Sequence, residues 1–217
     1  MKNFSAFQIY ELLKNQVVSK ALKGTISVKF ADVEFNVETK DIMGGILQEW
    51  FGEWLKNNCI NFETKHNTQE FPDFILYNGD FLEVKTFDSD ASPNFDVANF
   101  DAYTRSLLSC PQRLDADYLV FSYKLTEKYF EVTNVWLKKV WEITGPSQKN
   151  CLNLQVKQGI PVNIRPKTWY GRTTMFKNRR EFVVALNDAL NKFKNSKFPN
   201  WLTIVSETYK NTTGNAL

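Results

Sequence analysis

Residues 71–86 read FPDFILYNGDFLEVKT, and the fold follows from how this stretch is laid down. Asp73 follows a proline and opens a short apolar run, Phe74-Ile75-Leu76-Tyr77. Asn78-Gly79 comes next, the strongest short-range hairpin signal a sequence can carry. Phe81-Leu82-Glu83-Val84-Lys85 returns as a second strand, its apolar positions interleaved with Glu83 and Lys85. Side chains alternate across a strand, so Glu83 and Lys85 share one face while Leu82 and Val84 point into a core. The hairpin also brings Asp73, at the far end of the first strand, level with this polar edge. Two carboxylates and one ammonium are therefore expected together at the margin of an otherwise apolar sheet.

That grouping has a chemical use. Neighbouring carboxylates repel, and a hard divalent cation between them relieves the repulsion. Mg²⁺ keeps several waters and is typically held by one or two carboxylates together with phosphate oxygens of a substrate. A lysine beside such a site can orient the attacking water or steady charge developing on phosphorus. These are the parts of metal-assisted phosphodiester hydrolysis. A surface hairpin with a Glu/Lys pair on its solvent face, a common feature, would read the same way.

Pro72-Asp73, nine intervening residues, then Glu83-Val84-Lys85 resembles the PD-(D/E)xK motif of the restriction-endonuclease-like nucleases. The resemblance implies an α/β fold with a central mixed β-sheet flanked by helices. It implies a type II restriction endonuclease that cuts double-stranded DNA at a specific short site and leaves 5′-phosphates. Asp73, Glu83 and the Val84 carbonyl would hold Mg²⁺, and Lys85 would position or activate the attacking water. In this family a helix ahead of the motif often carries a glutamate a few residues after a glycine. Gly45-Ile46-Leu47-Gln48-Glu49 matches, which makes Glu49 the candidate extra carboxylate and Glu53, one turn on, the second choice. The resemblance further implies a homodimer acting on a palindromic site, a partner DNA methyltransferase, and a bacterial cytoplasmic location. A repair nuclease or junction resolvase on the same fold, or a non-catalytic DNA-binding protein, would use the same stretches differently.

The 217 residues suffice for one substantial core, and a single domain is expected over 1–217: an N-terminal helix and hairpin in 1–40, a catalytic core in 41–125, and the remaining sheet, a basic segment and C-terminal helices in 126–217. Apolar residues make up 43%, with 18 Phe and six Trp, which excludes a disordered tail. The net charge of +3 permits nucleic-acid binding only through local patches. Cys59, Cys110 and Cys151 are far apart in the chain and have no metal-ligand spacing; such a set fits a reduced compartment. His66 is the one histidine and reads as a loop residue; its solitude excludes His-triad hydrolases, His-rich zinc sites and HNH-type nucleases. The N-terminus runs straight into a helical pattern, so no signal peptide is expected, and no apolar stretch approaches the length of a membrane span.

In chain order, residues 4–22 have helical spacing ending near Gly24, and residues 25–38 alternate as a β-hairpin outside the catalytic unit. Residues 41–58 form a strong helix with Asp41 as a candidate cap and Ile46, Leu47, Trp50, Phe51, Trp54 and Leu55 as its buried stripe. Residues 60–64 suit an edge strand. The loop 86–100 is similar to the segment after the catalytic lysine in some type II restriction enzymes, with Ser89, Ser92 and Asn94 as groups that could meet phosphates or base edges. Asp88 and Asp90 in it need metal or lysine partners to tolerate DNA. Residues 98–110 read as a helix, 117–123 as a strand covered on both faces, and 129–135 as a further strand. Residues 136–143 are open between strand and short helix.

Between Lys157 and Arg180 the chain carries seven cations and no acid. Arg165, Lys167, Arg172 and Lys177, with Trp169 and Tyr170 interleaved, form the clearest nucleic-acid footprint: cations for phosphates, arginines for guanine edges, aromatics for packing. Asn178 to Glu181 has the form of a capping box, residues 198–209 suit a last helix, and the tail from Asn211 is expected to fray.

Overall fold

A computed structural model of the chain describes residues 1–20, 22–65, 70–193 and 198–217. Ala21 in the first expected helix and the loop reading of His66 fall outside the described residues. Two compact units emerge, one of Met1–Ser92 with Asp117–Leu137, the other of Pro93–Ala116 with Lys138–Leu217.

The order along the chain is α1 (Ala6–Lys20), β1 (Lys23–Gly24), β2 (Ser27–Phe30), β3 (Val33–Asn36), α2 (Met43–Asn57), β4 (Phe62–Glu63), β5 (Phe74–Leu76) and β6 (Phe81–Asp88). It continues with β7 (Ala98–Asn99), α3 (Phe100–Ser106), a 3-10 turn (Pro111–Asp115), β8 (Asp117–Leu125), β9 (Phe130–Lys139) and α4 (Val140–Ile143). β10 (Leu154–Lys157), β11 (Ile160–Ile164), α5 (Arg179–Lys192) and α6 (Trp201–Thr213) complete it. No described helix is long and apolar enough to cross a membrane.

The first unit is built on a six-stranded mixed sheet in the order β1-β9-β8-β6-β5-β4. β5 and β6 pair antiparallel with Phe74 opposite Leu82 and Ile75 opposite Phe81, as the Asn78-Gly79 turn requires. Gly79 sits at φ 82°, a conformation that strains any residue bearing a Cβ. β6 and β8 pair in parallel from Leu82–Asp117 to Asp88–Tyr123. β8 thus lies inside the sheet, and Tyr118 to Tyr123 are all buried, which explains their continuous apolar character. β4 is the edge strand expected from residues 60–64.

Helix α2 buries Met43, Leu47, Phe51, Trp54 and Leu55, while Ile46 and Trp50 are only half-buried. Asp41 does not cap it. Ile42 occupies the cap with no side-chain bond, and the Met43 N–H closes the turn onto the Lys40 carbonyl at 3.2 Å. In α1 the buried positions are Ala6, Ile9 and Leu13, whereas Phe7 and Val18 are 63% and 81% exposed. Its start carries a reciprocal cap the spacing argument missed: Ser5 N–H donates to Gln8 Oε1 at 2.9 Å and Gln8 N–H to Ser5 Oγ at 3.3 Å.

In the second unit β10-β11-β7 form a three-stranded sheet. Ala98 and Asn99 are therefore strand, not helix, and Asn99 caps α3 by accepting from the Ala102 N–H at 2.9 Å. Residues 136–143 resolve as both readings in turn, strand to Lys139 and then α4. Asn178 caps α5, but Glu181 accepts from the Lys177 N–H, one residue further out than a standard capping box. α6 continues through Thr213 to a Gly214 cap at φ 74°, so the tail begins later than the polar composition suggested. Trp201 Nε1 donates to the Thr104 carbonyl at 2.9 Å. Tyr209 donates to Asp115 at 2.7 Å, and Asp115 also receives Arg179, so that arginine is spent on holding helices together.

Phe51 stands edge-on to Phe74 at 5.2 Å and to Phe121 at 6.1 Å, tying α2 to the hairpin and to β8. Phe51→Ala should cost about 3–5 kcal/mol, read as a fall in denaturation midpoint by circular dichroism.

Candidate active site

The antiparallel register places Asp73 one step beyond the Phe74–Leu82 pair, level with Glu83. Asp73 Oδ2 accepts the Val84 N–H at 2.7 Å, and its own N–H donates to Glu83 Oε2 at 3.3 Å. Lys85 Nζ donates to Glu83 Oε1 at 2.9 Å. Glu83 and Lys85 do share a face, but it is not a solvent face: Glu83 is only 7% exposed. Charged residues are almost never buried without partners. That burial removes the reading of an ordinary surface Glu/Lys pair.

A residue that the motif did not point to completes the cluster. Gln48 Nε2 donates to Asp73 Oδ1 at 2.9 Å, so both Asp73 oxygens are held. Gln48 comes from α2, immediately before Glu49, and only the rotation of that helix shows which of the two meets Asp73. Glu49 and Glu53 are exposed and line, with Gln48, Gly52 and Asp73, one cleft of about 200 Å³. Glu53 is bound to Lys56 at 2.7 Å, whereas Glu49 has no ion pair among the described residues. Gly52 lies against Phe74, 3.5 Å from where a Cβ would stand.

Burial, and then the Glu83 charge, push the Asp73 carboxyl up to about 7; the Val84 N–H and Lys85 oppose the shift. Two carboxylates placed so that one resists ionisation form an oxygen-rich, anionic site suited to a hard cation. No group of three or more His, Cys, Asp or Glu close enough to hold a metal occurs among the described residues. The donor set is thus a carboxylate pair with backbone oxygen, which fits an ion that retains waters and takes phosphate oxygens, and does not fit an all-protein cage.

The other stretches singled out by sequence are placed as follows. Asp88 pairs with Lys40, and Asp90 with Lys124 at 3.6 Å, so lysines offset the acids of that loop. Ser92 is exposed. In the second unit Arg165 pairs with Asp96 at 3.1 Å and donates to the exposed Asn94's carbonyl. Trp169 packs between Phe95 and Tyr170, at 6.3 and 5.6 Å. The 93–96 loop and the start of the basic segment are therefore one surface, a pairing invisible to spacing. Lys167 is half-buried and its N–H donates to the Ile143 carbonyl, while Tyr170, Arg172 and Lys177 are exposed.

Comparison with known proteins settles the family. The NgoBV restriction endonuclease family matches residues 3–217. The chain belongs to the NgoBV restriction endonuclease family. It is 38% identical over 199 residues to the type II restriction enzyme NlaIV of Neisseria lactamica, covering 88% of this chain and 82% of that protein. It is 33% identical over 163 residues to the type II restriction enzyme NgoBV of Neisseria gonorrhoeae, covering 73% of this chain and 93% of that one. Among solved structures, an NlaIV restriction endonuclease matches with a TM-score of 0.87 and 35% identity, over 100% of this chain and 93% of the other. The restriction-endonuclease fold and a sequence-specific restriction activity, both implied by the 73–85 motif, are thereby borne out.

The raised Asp73 carboxyl has a consequence for stability. Its ordinary value is 3.8 and its folded value about 7. Between these the folded protein keeps a proton that the unfolded chain releases, so stability falls as pH rises through this window and the penalty is complete above it. Asn at position 73 can still accept from Val84, and Gln48 can turn its amide to accept the new NH₂. In EDTA at pH 8, Asp73→Asn should therefore raise Tm by roughly 2–6 °C, with the gain vanishing toward pH 4. A variant that melts below the parent at pH 8 would contradict the assignment.

Proposed function

We propose that this restriction endonuclease hydrolyses double-stranded DNA with Mg²⁺ held by Asp73, Glu83 and the Val84 carbonyl. The observation that carries the reading is the buried Glu83 facing an Asp73 whose carboxyl resists ionisation. When bound, the ion supplies positive charge that lowers the pKa of water and offsets charge developing on the phosphate.

The remaining work falls to the chain's own groups. Lys85, fixed at 2.9 Å from Glu83, has two further N–H donors with which to orient the attacking water or meet a phosphate oxygen. Gln48 positions Asp73 and keeps one of its oxygens aimed, so it acts through Asp73 and not on the substrate. Glu49, exposed in the same cleft, is the group proposed to assist through a water or a second ion. In-line attack of water on phosphorus breaks the bond to the 3′-oxygen, which takes up a proton, leaving a 5′-phosphate and a 3′-hydroxyl.

DNA contacts are assigned to Ser92, Asn94, Lys167, Trp169, Tyr170, Arg172 and Lys177. Arg165, bound to Asp96 and Asn94, fits a role in shaping that surface as well as touching DNA. One active site cuts one strand, so a two-fold homodimer on a palindromic site follows. A DNA methyltransferase protecting the same site would be its functional partner, and the bacterial cytoplasm its compartment.

The test is digestion of phage DNA by the purified protein in Mg²⁺ or EDTA. Discrete bands that require Mg²⁺ are expected; a smear, nicked circles or cleavage in EDTA would count against the proposal. Asp73→Ala and Lys85→Ala should abolish cleavage while DNA binding persists, and a parental plasmid-cutting rate in either would remove it from the site. Gln48→Ala should raise the Mg²⁺ concentration for half-maximal cleavage about tenfold. Arg172→Ala should weaken DNA binding and lower its salt dependence by about one phosphate contact; an unchanged affinity would take the basic segment out of the interface.

A further inference from the structure

β2 and β3 form a two-stranded ribbon separate from both larger sheets. Its register sets Val28 opposite Phe35 and Phe30 opposite Val33, with Lys29 opposite Glu34 and Ser27 opposite Asn36. Directly opposed residues lie on one face. One face is therefore Val28, Phe30, Val33 and Phe35, without a polar atom in its side chains, and the other is wholly polar. All four apolar side chains are exposed, by 37%, 78%, 63% and 52%. The base of the ribbon is anchored: Val37 is buried and its N–H donates to the Ile26 carbonyl at 2.8 Å.

An isolated two-stranded ribbon is at best marginally stable in water, and a contiguous apolar face of roughly 400 Å² is at the size where monomer surfaces become functional. Residues 25–38 carry one lysine, Lys29, against Asp32, Glu34 and Glu38. That net negative charge repels DNA and anionic lipid alike. The partner it suits is an uncharged apolar face, which a second copy of the same ribbon supplies. Stacking two such faces about a two-fold axis buries no charge and leaves both Lys29–Glu34 pairs in water, free of the desolvation cost of a buried ion pair. The pair would remove roughly 800 Å² from water, about half of a standard interface. Phe7 and Val18, exposed and on one side of α1, are further apolar surface of the same unit.

We propose that the apolar face of the 27–36 ribbon is the two-fold contact between copies of this chain. It rests on the homodimer reading and names the surface that reading requires.

Sedimentation equilibrium of the full chain tests both. The parent should be a dimer, and Phe30→Ser with Phe35→Ser should weaken association about a hundredfold or more. Phe35→Lys and Phe35→Glu should each be monomeric alone and form a dimer when mixed, since opposite charges then meet across the axis. A dimer that survives the double substitution overturns the surface while the homodimer stands; a parent that is monomeric at every concentration overturns both. A mixture of the Lys and Glu variants that stays monomeric also overturns the face-to-face contact. Loss of far-UV ellipticity in the double variant would mean the face packs on its own chain, which equally ends the proposal. An unchanged dimer with weakened DNA binding would assign the ribbon to DNA instead.

Discussion

Everything at the candidate site depends on one electrostatic constraint: two carboxylates held at the same level of adjacent antiparallel strands, with Glu83 almost wholly out of water. The arrangement is unfavourable by itself. Burial and the Glu83 charge push the Asp73 carboxyl up to about 7. The Val84 N–H, the Gln48 amide and the Lys85 ammonium offset part of that cost. A hard cation, if held here as proposed, would relieve repulsion the fold has already imposed. The fold bears a cost in stability at this position, as is usual where polar groups are kept buried.

The apolar framework supplies the rigidity. Phe51, Phe74 and Phe121 interlock edge-to-face, so α2, the hairpin and the covered strand β8 are one packed body. Gln48 rides on α2, and its amide reaches Asp73 only because that helix is fixed in rotation by its buried stripe. The parallel β6–β8 pairing gives the motif strand neighbours on both sides, and Glu83 on it is almost wholly out of solvent.

The second unit uses charge differently. Arg179 and Asp115, with Tyr209, hold helices, and Arg165 with Asp96 fixes a loop. Of the seven cations between residues 157 and 180, those two are committed internally, while Arg172 and Lys177 stand in solvent. Cation density in a sequence thus marks a region of positive potential, but a structure divides the individual cations between holding the surface and presenting it.

The sequence by itself determined the local patterns: the Asn78-Gly79 turn, the alternation of β6, the continuous apolar run of β8, the amphipathic helix α2 and the PD-(D/E)xK spacing that implied the fold and the restriction activity. Each is a periodicity or a turn residue, carried by neighbours in the chain. Tertiary structure alone decided which α2 side chain meets Asp73, since one residue is a rotation of about 100°. It decided that Glu83 is buried, because strand alternation says which face a side chain takes but not what covers that face. It decided that Ala98 and Asn99 join a strand and that Asp41 caps nothing, where a distant partner or a backbone bond overrode local preference. The ribbon shows the same division: alternation announced a hairpin, but only the structure shows that, among the described residues, its apolar face is left exposed.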